Sequence, residues 1–215
     1  MALLIGSQVM TTRPEHLRNH WWWRPGWATG RRFYTWHLVF DGQPDVHRFA
    51  GQYRSALAGV DGLDLIPDRW LHLTMQGIGF VDEVDQADVD AVVEAARVRL
   101  AAVPAFDITL SAPTVDPEAI LFPVRPEEPP RAVRDAIRAA IGDVLAEVPE
   151  KPEGFRPHVS VAYSNSDGPV DAILETLGAA SVPPVNARIG SAELIVLHRD
   201  NRLYEWQPYA TVELG

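Results

Sequence analysis

Two short apolar segments of this chain carry the same pattern: a histidine, then an aliphatic residue, then a hydroxyl residue. The segments are residues 70–76, WLHLTMQ, and residues 156–162, RPHVSVA. Side chains alternate across a β-strand, so His72 shares one face with Thr74, and His158 shares one face with Ser160. The aliphatic neighbours then point into a core. A helical pattern precedes each segment and another follows it, which predicts two similar lobes.

Helical and strand patterns mix along the whole chain. Apolar residues three and four positions apart predict helices over residues 45–60, 85–102, 128–147 and 169–178. Runs rich in branched and aromatic residues predict strands over residues 31–40, 64–66, 70–80, 105–111, 119–124, 156–163, 186–198 and 203–213. This mixture predicts the α+β class. The proline-rich segment 123–130 is expected to cross between the lobes.

The amino-acid composition limits the kinds of binding partner that we expect for this chain. The chain of 215 residues has 19 basic and 29 acidic side chains, a net charge of −10, which is a poor balance for binding long duplex nucleic acid. A small nucleotide or an RNA end remains possible, because one or two arginines can hold a single phosphate. No secretion leader and no apolar run of membrane-spanning length is present, so we expect a cytoplasmic protein with no membrane partner.

The predicted domain boundary lies near residue 29. Residues 1–29 contain four tryptophans and several arginines without a helical or strand period, and are interpreted as an irregular N-terminal arm. This arm could stack on a nucleobase as a lid, or its indoles could bury themselves against the body of the protein. Residues 30–215 are expected to form a single bilobal domain.

The paired histidines suit phosphate chemistry. An imidazole can exchange a proton while a hydroxyl about 7 Å along the same strand face holds a non-bridging phosphate oxygen. The alternative is two structural histidines, each satisfied by a hydrogen bond. Arg156 and Trp70 lie two residues before the histidines. Arg156 could bind a second phosphate or simply lie on the surface, and Trp70 could stack on a base or fill a core.

Metal chemistry has little support in the sequence. The chain contains no cysteine, which excludes thiolate ligands and disulfides. The remaining candidate ligands for zinc are His37, His72, His158 and His198, but no two of them form a local ligand pair. We therefore expect no metal and no other cofactor.

The two histidine strands resemble the signature of the 2H phosphoesterase superfamily, which includes 2'-5' RNA ligase-like proteins and cyclic nucleotide phosphodiesterases. The similarity extends from about residue 31 to the C-terminus. It is greatest to the cyclic phosphodiesterase type, in residues 158–163, HVSVAY, and in the opening strand residues 34–38, YTWHL. The resemblance implies two antiparallel sheets that face a central cleft, with helices outside.

The resemblance also implies roles for individual residues. His72 and His158 would be the acid–base pair, Thr74 and Ser160 would bind phosphate, and the pocket would be lined by Trp36 and Tyr163. Strict alternation places Tyr163 on the opposite face from His158, so it reaches the cleft only if the strand ends or bulges near residue 162.

These observations predict a monomeric, metal-independent phosphoesterase. Its substrate would be a cyclic phosphodiester, either a 2',3'-cyclic nucleotide or ADP-ribose cyclic phosphate, and one imidazole would act as base while the other acts as acid. One alternative is 2'-5' RNA ligation or RNA-end processing. Another is a noncatalytic module that binds a nucleotide in the same cleft.

Overall fold

A computed structural model of the chain describes residues 14–215, so residues 1–13 of the predicted arm lie outside the described part. Within that part the helices are α1 (Pro44–Leu57), α2 (Gln86–Leu100), α3 (Glu128–Val144) and α4 (Asp171–Ala179). The strands are β1 (His16–Leu17), β2 (Phe33–Val39), β3 (Leu63–Leu65), β4 (His72–Phe80), β5 (Phe106–Leu110), β6 (Thr114–Asp116), β7 (Ala119–Arg125), β8 (His158–Ser164), β9 (Gly168–Pro169), β10 (Val185–Ile189), β11 (Ser191–His198) and β12 (Glu205–Glu213).

Two antiparallel sheets organise the molecule. The first has the strand order β12-β11-β2-β4 and carries His72 at the start of β4. The second has the order β10-β5-β7-β8-β3, with β6 paired to β7, and carries His158 at the start of β8. The predicted α+β class, with two sheets that face a cleft and helices outside, is confirmed.

The helices cover the outer faces of the two sheets. Helices α2 and α3 pack against each other and against strands β12 and β4 of the first sheet. Helix α1 packs against the second sheet and against α4, and its buried stripe includes Val46, Phe49, Tyr53 and Leu57, as the apolar spacing predicts. Helix α3 follows β7 of the second sheet but packs on β4 of the first. This crossing ties the two lobes together.

Three of the differences between the structure and the sequence predictions affect how the elements are arranged. The predicted strand over residues 186–198 divides at Gly190 into β10 and β11, which belong to different sheets. The predicted crossing segment is short, because β7 extends to Arg125 and α3 begins at Glu128. The arm is not irregular throughout, because β1 pairs with β9 of the body.

The arm packs on the body of the protein along its described length. The backbone N–H groups of Arg18 and His20 donate to the carbonyl oxygens of Pro117 and Ser164. The guanidinium of Arg199, which is only 4% exposed, lies 5.3–5.9 Å from four aromatic rings, those of Trp21, Trp23, Trp27 and Tyr204. Cation–π attraction at these distances helps to hold the arm in place.

None of the helices within residues 14–215 is long and apolar enough to cross a membrane.

Candidate active site

A cavity of about 460 Å³ lies between the two sheets, and both His-x-hydroxyl pairs line it. Strand β4 contributes His72 and Thr74, and strand β8 contributes His158 and Ser160. Alternation along each strand turns these four side chains to the cavity and buries Leu73 and Val159 on the other side. The structure therefore brings together the four residues that the sequence pattern singles out.

The two imidazoles are oriented by the same kind of hydrogen bond. Nδ1 of His72 lies 2.8 Å from the carbonyl oxygen of Trp70, and Nδ1 of His158 lies 2.8 Å from the carbonyl oxygen of Arg156. A carbonyl oxygen can only accept, so Nδ1 carries the proton in both rings. Nε2 is then the ring nitrogen left to meet a substrate in the cavity.

Burial distinguishes the two histidines. The side chain of His72 is buried, while that of His158 is half-buried at the cavity edge. Burial lowers the pKa of His72 to about 4, although the hydrogen bond to Trp70 opposes this shift, and the nearby charge of His158 lowers the pKa further. His72 is therefore neutral at pH 7 and can accept a proton at Nε2.

Tyr163 reaches the cavity through a bulge in β8. In the pairing of β7 with β8, Ile120 is opposite Ala162 and Leu121 is opposite Ser160. The residue of β8 between Ser160 and Ala162 therefore has no partner on β7. The extra residue resets the alternation, and Tyr163 lines the cavity on the same side as His158. Burial raises the pKa of the Tyr163 hydroxyl, which keeps it protonated and able to donate a hydrogen bond.

Trp36 does not line the cavity, contrary to what the family resemblance implies. It is fully buried, with 0% of its surface exposed, and belongs to the core together with Tyr34 and Leu38. The reason is alternation along β2, where Thr35 and His37 take the positions that face the cavity. The prediction that Trp36 is a pocket residue is wrong.

Trp70 and Arg156, each two positions before a histidine, differ in whether they line the cavity. Trp70 belongs to the 3₁₀ turn Asp68–Trp70, so strand alternation does not reach it, and its ring packs against Trp206 at 4.6 Å instead of lining the cavity. The expectation that it stacks on a base is wrong, and its carbonyl group orients His72. Arg156 does line the cavity, and its guanidinium donates to Asp116 at 3.1 Å.

The arm supplies cavity residues that the sequence analysis did not identify. His20, Arg24 and Trp27 all line the cavity. Arg24 donates to Glu118 at 2.8 Å, and Nδ1 of His20 lies 3.4 Å from the same carboxylate. The ring of His20 stacks on Tyr163 with centroids 4.3 Å apart. Burial lowers the pKa of His20 to about 3, and the charges of Arg24 and Arg199 lower it further.

The candidate zinc ligands do not come together as a set. His37, His72 and His158 line the cavity, but His198 lies beside Asp200 at 3.6 Å and is not part of the lining. Across residues 14–215, no group of three or more histidine, aspartate or glutamate side chains is placed to hold a metal ion.

Solved structures share this fold. TT0787 of Thermus thermophilus superposes with a TM-score of 0.64 at 18% identity, covering 86% of this chain and 97% of its own. Escherichia coli LigT in complex with 3'-AMP superposes with a TM-score of 0.63 at 14% identity, covering 86% of this chain and 99% of its own. LigT in its apo form gives 0.59 at 13% identity, with 86% and 98% covered.

The family of the chain is assigned from its sequence. No curated protein matches the chain. The model of the 2'-5' RNA ligase superfamily matches residues 42–201, about three quarters of its length, and this range includes both histidine strands. The chain therefore belongs to the 2'-5' RNA ligase superfamily of 2H phosphoesterases.

Proposed function

We propose that this phosphoesterase hydrolyses the cyclic phosphodiester of a small nucleotide, with His72 and His158 as its acid–base pair and without a metal ion. The observation that carries the proposal is the pair of His-x-hydroxyl strands on facing sheets, both lining one cavity. Two imidazoles of this kind supply both proton transfers that ring opening needs.

The difference in burial assigns the two roles. Buried His72 is neutral near pH 7, so its Nε2 takes a proton from the water whose oxygen attacks phosphorus. His158, half-buried at the cavity edge, is the proposed acid and donates a proton from Nε2 to the ribose oxygen as the P–O bond to that oxygen breaks. The products are a phosphate monoester and a free ribose hydroxyl, and the proton taken up by His72 replaces the one that His158 gave away.

The two hydroxyl residues complete the phosphate site. Thr74 and Ser160 lie on the same strand faces as the histidines, so a phosphate between the imidazoles would lie between the two hydroxyls as well. Their O–H groups would donate to the non-bridging oxygens, on which negative charge increases in the transition state. The Tyr163 hydroxyl is placed to add a further donor.

The side chains of the rest of the cavity wall suit a nucleotide. Arg24 and Trp27 from the arm and Arg156 from the segment before β8 surround the phosphate site with cationic and aromatic groups. Arginine suits additional anionic groups, and an indole suits a base. The related fold of E. coli LigT has been solved with 3'-AMP, with ATP and with NADP+, which supports a nucleotide as the ligand class.

RNA-end processing is a second candidate, favoured by one observation. A second cavity of about 580 Å³ adjoins the first and shares Asp116, Leu121 and Arg156 with it. A substrate longer than one nucleotide could extend into that space, past the Arg156 guanidinium. The net charge of −10 restricts such a substrate to a short end, because a long strand would be repelled.

A substrate panel tests the proposal. The purified chain is incubated with EDTA and one of four probes: a 2',3'-cyclic mononucleotide, ADP-ribose cyclic phosphate, a 2'-5' dinucleotide, or a short RNA ending in a 2',3'-cyclic phosphate. We expect ring opening of a cyclic mononucleotide or of ADP-ribose cyclic phosphate, with a phosphate monoester as product. Turnover confined to the RNA or the dinucleotide would favour the second candidate. Binding to every probe without turnover would favour a noncatalytic module.

A further inference from the structure

A third histidine lies directly against the proposed base. The imidazole of His37, on β2, is parallel to that of His72, with ring centroids 4.2 Å apart and an angle of 6° between the planes. The two side chains come from adjacent strands, since His37 pairs with Thr74 in the register of β2 and β4. His37 also lines the cavity, although it is only 1% exposed.

Trp206 closes this pair from the side. Its indole stands nearly perpendicular to both imidazoles, at 88° to His37 and 83° to His72, with each pair of centroids 5.3 Å apart. The His72 ring therefore has a face-to-face contact on one side, an edge contact with Trp206, and one fixed nitrogen at the Trp70 carbonyl. These contacts restrict rotation of the ring about its χ2 torsion.

His37 does not take part in a hydrogen-bond network that would explain its presence. Its Nδ1 is buried and has no hydrogen-bond partner within the described residues. A buried polar atom without a partner costs free energy, so an aliphatic residue such as leucine would be more favourable here if filling the core were the only function of the position. The imidazole instead makes the parallel contact with His72 and the edge contact with Trp206.

We infer that His37 is a positioning residue: its stacked ring holds the plane of His72 so that Nε2 of His72 is presented to the substrate phosphate. Misplacement of a catalytic group by about 1 Å can cost on the order of 100-fold in rate, so control of the ring plane matters for turnover. The effect on turnover rests on the proposed function. The effect on the His72 ring does not.

The stack also shields His72 from water. Burial lowers the pKa of His37 well below its ordinary value, and the charge of His72 lowers it further, so protons on both stacked rings are disfavoured. The other titratable groups that face His72 are His158 across the cavity and Tyr204, whose ring centroid lies 6.4 Å away. The remaining charged side chains of the cavity wall are Arg24, Asp116, Glu118, Glu150 and Arg156. Removal of the His37 ring admits water to one face of His72, so the pKa of His72 should rise toward its ordinary value.

Two substitutions separate stacking from mere filling of the core. His37→Ala removes the stacked ring, while His37→Phe keeps a flat ring of similar size without nitrogen atoms. His47→Ala serves as the matched control, since His47 is a half-buried histidine on α1 that does not line the cavity. Three quantities are measured for each variant: kcat and KM for the active cyclic phosphodiester across pH, the NMR titration of the His72 imidazole, and the melting temperature.

We expect His37→Ala to lower kcat by at least about 10-fold with little change in KM, and to move both the His72 titration and the acidic limb of the rate profile to higher pH. His37→Phe should stay within about 3-fold of wild type with an unshifted titration. A lower melting temperature for His37→Ala with an unchanged His72 titration would overturn the inference, as would equal losses for Ala and Phe. If the native chain turns over none of the probes, the proposed function fails, and the His72 titration still decides the role of His37.

Discussion

His72 and His158 are held by equivalent hydrogen bonds, each from Nδ1 to the carbonyl oxygen two residues earlier at 2.8 Å, but only His72 is buried. The equivalent bonds leave Nε2 of both rings for the substrate. In the proposed mechanism the unequal burial assigns the base role to His72, because burial keeps its imidazole neutral. A duplicated strand pattern therefore gives two histidines with the same hydrogen bond but different burial in one cavity.

The hydroxyl residues provide a first prediction. Thr74→Val and Ser160→Ala should each lower kcat by up to about 100-fold, because each removes one donor to an oxygen that gains charge in the transition state. Thr211→Val on the exposed face of β12 is the control and should match wild type. Steady-state kinetics on the active cyclic phosphodiester give both constants, and a change in KM alone would show that these hydroxyls bind ground-state substrate only.

The arm gives a second prediction. Arg24→Ala should raise KM by about 10-fold while kcat changes little, because Arg24 lines the cavity and retains guanidinium donors beyond its bond to Glu118. Arg18→Ala is the matched control, since Arg18 is an exposed arginine of the same arm outside the cavity lining. An unchanged KM combined with a lower melting temperature in Arg24→Ala would mean that the arm serves packing alone.

Much of the fold follows from local sequence patterns. The stripe of Val46, Phe49, Tyr53 and Leu57 predicts α1, and all four are buried in the structure. The His-x-hydroxyl spacing predicts which side chains share a face of β4 and β8. Such patterns suffice because they depend only on neighbours within one element.

The residues that the sequence did not identify depend on contacts between distant parts of the chain. His20 and Arg24 reach the cavity because the arm docks on the body, partly through Arg199 nearly 180 positions later. Tyr163, which the family resemblance assigned to the pocket, reaches it through a bulge that no local pattern specifies. The error at Trp36 had a different cause: the family resemblance assigned it to the pocket, whereas alternation along β2 places its neighbour His37 there.

Acid stability gives a third prediction. The pKa of His20 is lowered to about 3 in the folded chain, so between that value and about 6.5 the unfolded chain binds a proton that the folded chain does not. Stability must therefore fall as pH decreases through this window. The contribution of His20 to the loss is on the order of 2 kcal/mol at pH 5 relative to pH 7. Nε2 of His20 lies 3.0 Å from the Tyr204 hydroxyl, and His20→Gln keeps a hydrogen-bonding group there. This variant should lose less stability than wild type between pH 7 and pH 5 when urea unfolding is measured at both values. A wild-type pH dependence in this variant would contradict the assignment.

Metal independence gives a fourth prediction. The two imidazoles carry both proton transfers in the proposed mechanism, so turnover should be the same before and after prolonged dialysis against EDTA. Atomic absorption on the purified chain should find no stoichiometric zinc. Loss of activity on dialysis, with recovery when zinc is added back, would replace this mechanism by a metal-assisted one.

The pH dependence provides a fifth prediction. If neutral His72 is the base, kcat/KM should decline about tenfold per pH unit only as the pH falls through about 4, the pKa of His72 in the free protein. A basic limb should also appear, because the proposed acid must hold a proton to donate it. An acidic limb that disappears in His158→Gln and persists in His72→Gln would reverse the two roles.

The proposed mechanism requires that His72 and His158 act as one acid–base unit. Its most direct test is the turnover of the active cyclic phosphodiester, with EDTA present, by the wild type, His72→Ala, His158→Ala and the double variant. We expect losses in turnover of roughly 10²- to 10⁴-fold for each single variant. The double variant should be far less impaired than the product of the two single losses, because either change already disables the unit. Turnover at the wild-type level in either single variant would contradict the proposed mechanism.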